Sequence, residues 1–494
     1  MTKQRFLWAT ACAALLGLGG CASRPVNPPI TQVDPNGGYT FQTRQKHFKS
    51  QDTLVVLAFS GGGTRAAAFS YGVLEFLRRT EVVAPDGAKL RLIDAVDMIT
   101  GVSGGSFTAL AYGLYGDKLF ADYEQRFLKR DVQGELIARA LSPRYWPDYI
   151  GGTAGRSELA ANYYDEILFN GATFGDLERG DGPYVVASAT DISTGSRVPF
   201  NQSVFNLMCS DLNAVRLARA AAASSAVPVV LSTVTLNNYG GSCHYEVPAW
   251  VQMFTQSDDP PRPAARAIRE LNEGRVLADG ANRPYLHLVD GGVSDNVGMR
   301  GVLDALQLLE ALHAAGIPTP LDHVKRIVVM VVNSLSSPPT AWDSSEQGPG
   351  VVDVLLQSTG VPIDHYSYEA VELLKDISAR WDTARRLRDL AGCEANKDAP
   401  VCAAIRVPQA KIYAIDVSFA ALQDRAEFAY LNRQPTSFVL PAEAVDRLRA
   451  AAGTIVASSP EFRRMLKDAG VKVVDAAGEG PAAPAPATPK ATGR

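Results

Sequence analysis

The stretch from Ala95 to Leu114 limits the fold of this chain more than any other. Ala95 to Thr100 is an apolar run of strand length. Gly101-Val102-Ser103-Gly104-Gly105 breaks it, and apolar residues at helical spacing resume through Phe107, Leu110 and Leu114. Strand, sharp turn and helix are the units of an α/β sheet. A serine at the apex of such a turn, in a Gly-x-Ser-x-Gly setting, is a nucleophile elbow. The glycines remove side chains that would clash at a strained turn and bury the hydroxyl. The following helix also aims its first N–H groups at the same point, where developing negative charge is welcome. Ser103 is therefore the candidate nucleophile, with Gly101 and Gly105 shaping its turn.

The same grammar recurs along the chain. Leu54 to Phe59 is a β-branched apolar run typical of a buried parallel strand, and it leads into Ser60-Gly61-Gly62-Gly63-Thr64-Arg65 and then a helical pattern. The Gly-x-x-x-x-Gly-Lys-Ser/Thr pattern of a phosphate loop is absent. Beside an elbow, the better use is an oxyanion hole, built from backbone N–H groups of Gly61, Gly62 and Gly63 together with Gly104. Arg65 is read as a brace for that loop. Tyr184 to Ala189 is a strand, followed by a turn in which Asp191 holds the loop. Ser224 and Ser225 end an Ala/Arg-rich helix before Pro228. They lack flanking glycines and are read as a packed helix end. Tyr285 to Val289 is a short strand ending in Asp290-Gly291-Gly292, a carboxylate placed at a strand end and freed by two glycines. His287 alternates with Leu286 and Leu288 and is expected to pack against structure, not to act as a base.

Other segments carry less chemistry. The region 117–180 is helical but irregular, with Trp146 and Tyr163-Tyr164 as candidate walls over the site. Residues 237–283 read as an insertion with an exposed Asp258–Pro263 loop. Ile327 to Val332 is a further buried strand, ending at Asn333. Beyond it a helical stripe places Leu374, Ile377, Trp381, Ala384, Leu387 and Leu390 on one buried face. Lys411 to Val417 is a late strand, and Ser459-Pro460 starts a final helix.

Net charge is −4, with no basic run and no nucleic-acid motif, which excludes nucleic acid as a partner. Lys3 and Arg5 precede an apolar stretch, Phe6 to Leu18, that is short for a bilayer span and ends in Leu18-Gly19-Gly20-Cys21. That pattern resembles a bacterial lipoprotein signal, with Cys21 as the lipidated residue. The implied location is the outer membrane, facing the periplasm. Cys209, Cys243, Cys393 and Cys402 remain, and the pairing with shorter loops is Cys209–Cys243 and Cys393–Cys402. Neither pair has metal-ligand spacing.

Three motifs stand in order: Gly61-Gly62-Gly63-Thr64-Arg65, Gly101-Val102-Ser103-Gly104-Gly105 and Asp290-Gly291-Gly292. Together they resemble the patatin-like phospholipases. Ala189-Thr190-Asp191 to Gly195 and Ala223 to Pro228 are similar to further signatures of that family, and the resemblance runs from about Leu54 to Asn333. Ala66 stands where many members have glycine. The resemblance implies a three-layer α/β fold with a central, mostly parallel sheet between helices. It also implies a Ser103–Asp290 dyad supported by Gly291 and Gly292, a membrane phospholipid or lysolipid substrate, and no metal or organic cofactor. The expected division is a signal peptide (1–20), a flexible tether (21–50), a catalytic core (51–335), a helical extension with a late strand (336–470) and a disordered tail (471–494). Two alternatives are a Ser-His-Asp esterase using His313, His323 or His365, and a non-catalytic lipid-binding or envelope-assembly protein on the same fold.

Overall fold

The computed structural model describes residues 24–148, 155–228, 230–247, 265–395 and 399–475. The proposed lipidation residue Cys21, the leader and the Asp258–Pro263 loop lie outside them.

Strand alternation builds the molecule in three layers. The central sheet comprises β1 (Thr53–Phe59), β4 (Met98–Val102), β5 (Tyr184–Asp191), β6 (Arg197–Pro199), β7 (Val234–Asn237), β8 (Tyr285–Val289), β9 (Arg326–Asn333) and β10 (Lys411–Ser418). Its order is β10-β9-β1-β4-β5-β8-β7, with β6 paired to β5. The run from β10 to β5 is parallel. The β5–β8, β8–β7 and β5–β6 pairs are antiparallel. Successive side chains of a strand point to opposite faces. On one face Leu57, Phe59, Val328, Met330 and Tyr413 join a core with α1 (Gly63–Arg79) and α2 (Gly104–Tyr115). On the other, Val56, Ala58, Val329 and Val331 pack against Leu303 and Leu306 of α4 (Arg300–Ala314) and Leu374, Ile377 and Trp381 of α5 (Val351–Leu390). Each such buried aliphatic side chain contributes about 1.5–3 kcal/mol, so both faces are strong constraints on register.

Several expectations are corrected. The polar 24–50 segment is strapped to the body. Tyr39 is fully buried, its hydroxyl accepting from the Val185 N–H at 2.7 Å, and the Arg44 guanidinium donates to the Gly180 carbonyl at 2.7 Å. Its composition shows no periodicity because it is held by individual hydrogen bonds and single rings, Tyr39 and Phe41 lying 5.2 and 6.0 Å from Tyr184. Nor is the 336–470 extension separate from the core. β10 pairs with β9 from Lys411–Arg326 to Ser418–Asn333, and α6 (Ala442–Ser458) covers α1. After α7 (Pro460–Asp468), residues read as disordered tail form β11 (Lys472–Asp475), which pairs with β2 (Glu81–Val83) in a small sheet completed by β3 (Lys89–Arg91). In α5 the apolar stripe is buried at Leu374, Ile377 and Trp381, whereas Leu387 and Leu390 are exposed. His287 is exposed, with Nδ1 3.0 Å from Thr235 Oγ1.

Both shorter-loop disulfides are formed, with Cα–Cα distances of 5.4 Å for Cys209–Cys243 and 5.5 Å for Cys393–Cys402.

Candidate active site

Register brings the site together. Val102, the last residue of β4, pairs with Ser188 in β5, so the next residue, Ser103, emerges at that level. β8 arrives antiparallel, pairing Val289 with Thr190, and its next residues, Asp290 and Gly291, turn in beside Ser188. Asp290 directly follows the carboxyl end of β8, as expected, but that strand runs antiparallel to its β5 neighbour. An antiparallel arrival reaches the same spot from the other side. A Cβ on Gly291 would fall 2.2 Å from the Ser188 carbonyl oxygen, so glycine is what lets the turn close there.

Ser103 sits at φ 48°, ψ −122°, a conformation that costs of order 1–3 kcal/mol for a residue with a side chain. Its Oγ donates to Asp290 Oδ2 at 2.8 Å, and the other carboxylate oxygen, Oδ1, accepts from the Gly292 N–H at 2.7 Å. Both side chains are buried. Burial pushes the Asp290 carboxyl up to about 6, against the opposing pull of the Gly292 N–H and the Ser103 hydroxyl. Six histidines are present in the chain. His313, offered as a triad member, is tied to Leu309 O and Asp322, and His365 is exposed. Among the described residues, no histidine hydrogen-bonds Ser103 or Asp290.

The glycine loop lies directly over the elbow. A Cβ on Gly104 would stand 2.0 Å from the Gly63 carbonyl oxygen, and one on Gly61 would stand 3.3 Å from Ser103 Cβ. Gly62 has φ 136°, which only glycine adopts without strain. The expected oxyanion set is corrected at one position. The Gly61 N–H donates to the Asn296 carbonyl at 2.8 Å and is already engaged. The N–H groups of Gly62, Gly63 and Gly104, at the starts of α1 and α2, have no hydrogen-bond partner among the described residues. Three donors in that position are a receptor for negative charge. Arg65 is buried and braces the loop by donating to Ser334 O at 2.7 Å, Gln434 O at 2.8 Å and Thr436 Oγ1 at 3.1 Å.

Asp191 is a turn-holder, accepting from Thr194 Oγ1 at 2.7 Å and Arg283 at 2.6 Å. In the irregular region, Tyr164 packs edge-on against Phe107 of α2 at 4.8 Å, beside the elbow, while Trp146 is exposed. Sequence reasoning missed three contributors. Asn296 wedges between the glycine loop and the Asp290 turn, Thr190 Oγ1 donates to the Asp290 carbonyl at 2.9 Å, and Ser224 accepts from the Ser103 N–H at 2.9 Å. The signal for Ser224 was present in the Ala223–Pro228 signature, but its single-residue chemistry looked ordinary without the tertiary contact.

Fold and site define a class: an α/β protein whose strand-end serine is paired directly with a carboxylate. The sequence matches the family model described as patatin-like phospholipase over residues 57–303, half of the chain. The chain belongs to the patatin-like phospholipase family, a family of carboxylic-ester hydrolases. No curated protein sequence matches it. Among solved structures it is similar to human GIVD cytosolic phospholipase A2, at 12% identity and a TM-score of 0.40, covering 87% of this chain and 65% of that one. It is also similar to the same human enzyme in complex with methyl gamma-linolenyl fluorophosphonate, at 14% identity and a TM-score of 0.35, covering 87% of this chain and 62% of that one. This chain thus spans less than two thirds of the length of either structure.

Proposed function

We propose that this protein is a serine acyl hydrolase of phospholipase A or lysophospholipase type, releasing fatty acids from membrane lipids. The observation that carries the reading is the 2.8 Å hydrogen bond from Ser103 Oγ to Asp290 Oδ2, beside backbone N–H groups that have no partner among the described residues. In the first step Oγ bonds to the ester carbonyl carbon while its proton passes to Asp290. The carbonyl oxygen becomes an oxyanion, held by the Gly62, Gly63 and Gly104 N–H groups. Collapse of the tetrahedral species breaks the ester C–O bond, and the leaving alkoxide takes the proton from Asp290. Water then attacks the acyl-enzyme, giving its proton to Asp290, and fatty acid departs as Ser103 recovers its own.

An ordinary aspartate, near ~3.9, is a weak base. Its burial here raises basicity while leaving it ionised at neutral pH, which is what a dyad without histidine requires. The lipid substrate rests on family membership. The lipidated Cys21, an outer-membrane location facing the periplasm, and tethering to the substrate surface rest on the leader sequence. Among the described residues no helix is long and apolar enough to cross a membrane. A fluorophosphonate tests the chemistry, since only an activated serine reacts. One adduct on Ser103, absent from Ser103→Ala, is expected. An unlabelled, folded wild type would instead favour a lipid-binding protein.

A further inference from the structure

Ser103 and Asp290 are 187 residues apart in sequence, and a dyad needs them aligned within a fraction of an ångström. One short segment touches both. It is the C-terminal end of α3 (Leu217–Ser224), an Ala-rich helix packed against β5, where Ser224 and Ala226 make the contacts. The Ser103 N–H, which precedes α2 and has no acceptor within that helix, donates to Ser224 Oγ at 2.9 Å. Ser224 passes its own proton on, donating to the Ser188 carbonyl at 2.7 Å. Ser188 is the register partner of Val102, so this chain of bonds closes on the strand that carries Ser103. On the acid's side, the Ser224 carbonyl accepts from the Gly291 N–H at 3.0 Å, and the Ala226 carbonyl accepts from the Asp290 N–H at 2.9 Å.

We infer that Ser224 is a positioning residue for catalysis, its side chain fixing the nucleophile's backbone while its carbonyl fixes the turn of the base. The inference rests on the hydrolase reading above. A hydroxyl suits the position because its single oxygen both accepts from one backbone N–H and donates to one backbone carbonyl. It is fully buried, so water does not stand in for it. Ser225, its neighbour, donates to Ala221 O at 2.8 Å within the helix and hydrogen-bonds neither member of the dyad, which makes it a matched control.

The test compares wild type with Ser224→Ala, Ser224→Thr and Ser225→Ala. It reads turnover of a short-chain nitrophenyl ester across pH, and the rate of fluorophosphonate labelling at Ser103. For Ser224→Ala, kcat and labelling rate should fall about 10- to 100-fold, with KM within about twofold, as expected for a misplaced reacting group. The acid limb should move to higher pH, because a displaced Ser103 hydroxyl no longer stabilises the charged carboxylate. Ser224→Thr, which keeps the hydroxyl, should recover much of the rate, and Ser225→Ala should match wild type. Should Ser224→Ala fail to fold, the comparison of Ser224→Thr with Ser225→Ala decides: a threonine variant no more active than an unfolded chain overturns the hydroxyl's role. Equal kcat in folded Ser224→Ala and wild type overturns it as well. A wild type that neither labels nor turns over defeats the hydrolase reading itself, and the inference with it, and so is distinguishable from failure of Ser224 alone.

Discussion

A carboxylate that takes a proton from serine must be dry enough to be basic and ionised at the working pH. Asp290 meets both demands through burial and the N–H of Gly292, with a value near 6. The acid limb of kcat/KM should therefore fall near pH 6, with activity lost as the carboxylate protonates below it. A limb near 4 would mean that Asp290 is not the titrating base. A second buried acid, Asp97, precedes β4, accepts from the Val55 N–H at 2.8 Å, and is pushed by burial up to about 7. Its folded-state value lies above the unfolded value near ~3.9, so between the two the folded chain binds more protons. Stability contributed by the neutral form is present at low pH and is lost as pH rises through about 7. Asp97→Asn keeps an oxygen for Val55 and removes the titration. Between pH 5 and pH 8 its Tm should decline less than that of wild type. Parallel declines would contradict the sign.

The elements nearest the site were legible because strand and helix periods change where glycines cluster. β1 followed by the glycine loop, and β4 followed by the elbow, each carry that signature. What was not legible was which N–H groups stay free. Gly61 and Gly62 look alike in sequence, and only the Asn296 carbonyl separates them by occupying the Gly61 donor. Likewise the ends of β8 and β5 meet through antiparallel register, which no local pattern encodes. The loop's geometry sets a test at this scale. Gly104→Ala would drive a methyl to 2.0 Å from the Gly63 carbonyl oxygen, so the glycine loop must move. We expect a loss of at least about 100-fold in kcat/KM, the scale of removing one oxyanion donor. Gly348→Ala, which meets no atom within 4 Å, should be neutral in the same assay. Comparable activity in both variants would remove the oxyanion role from this loop.

At the scale of the molecule, the division into a core ending at 335 and an appended extension does not describe how the chain is built. β10 completes the parallel run, Arg65 reaches from the glycine loop to Gln434 and Thr436, and the Thr64 N–H donates to Ser437 O at 2.8 Å. α6 lies so close on α1 that a Cβ at Gly72 would stand 2.4 Å from the Arg449 carbonyl oxygen, and Arg449 pairs with Glu75 at 2.7 Å. Composition concealed this, because an amphipathic helix reads the same whether it covers its own sheet or a separate one. A chain cut after residue 335 should therefore show no cooperative thermal unfolding, whereas a separable core would melt as a unit. The most direct measurement of the central claim is fatty-acid release from phospholipid vesicles by wild type, Ser103→Ala and Asp290→Asn, each checked for folding. Release by wild type that vanishes in both variants is the expected result. Release that persists without Asp290, or none from any of the three, would contradict a Ser103–Asp290 lipid hydrolase.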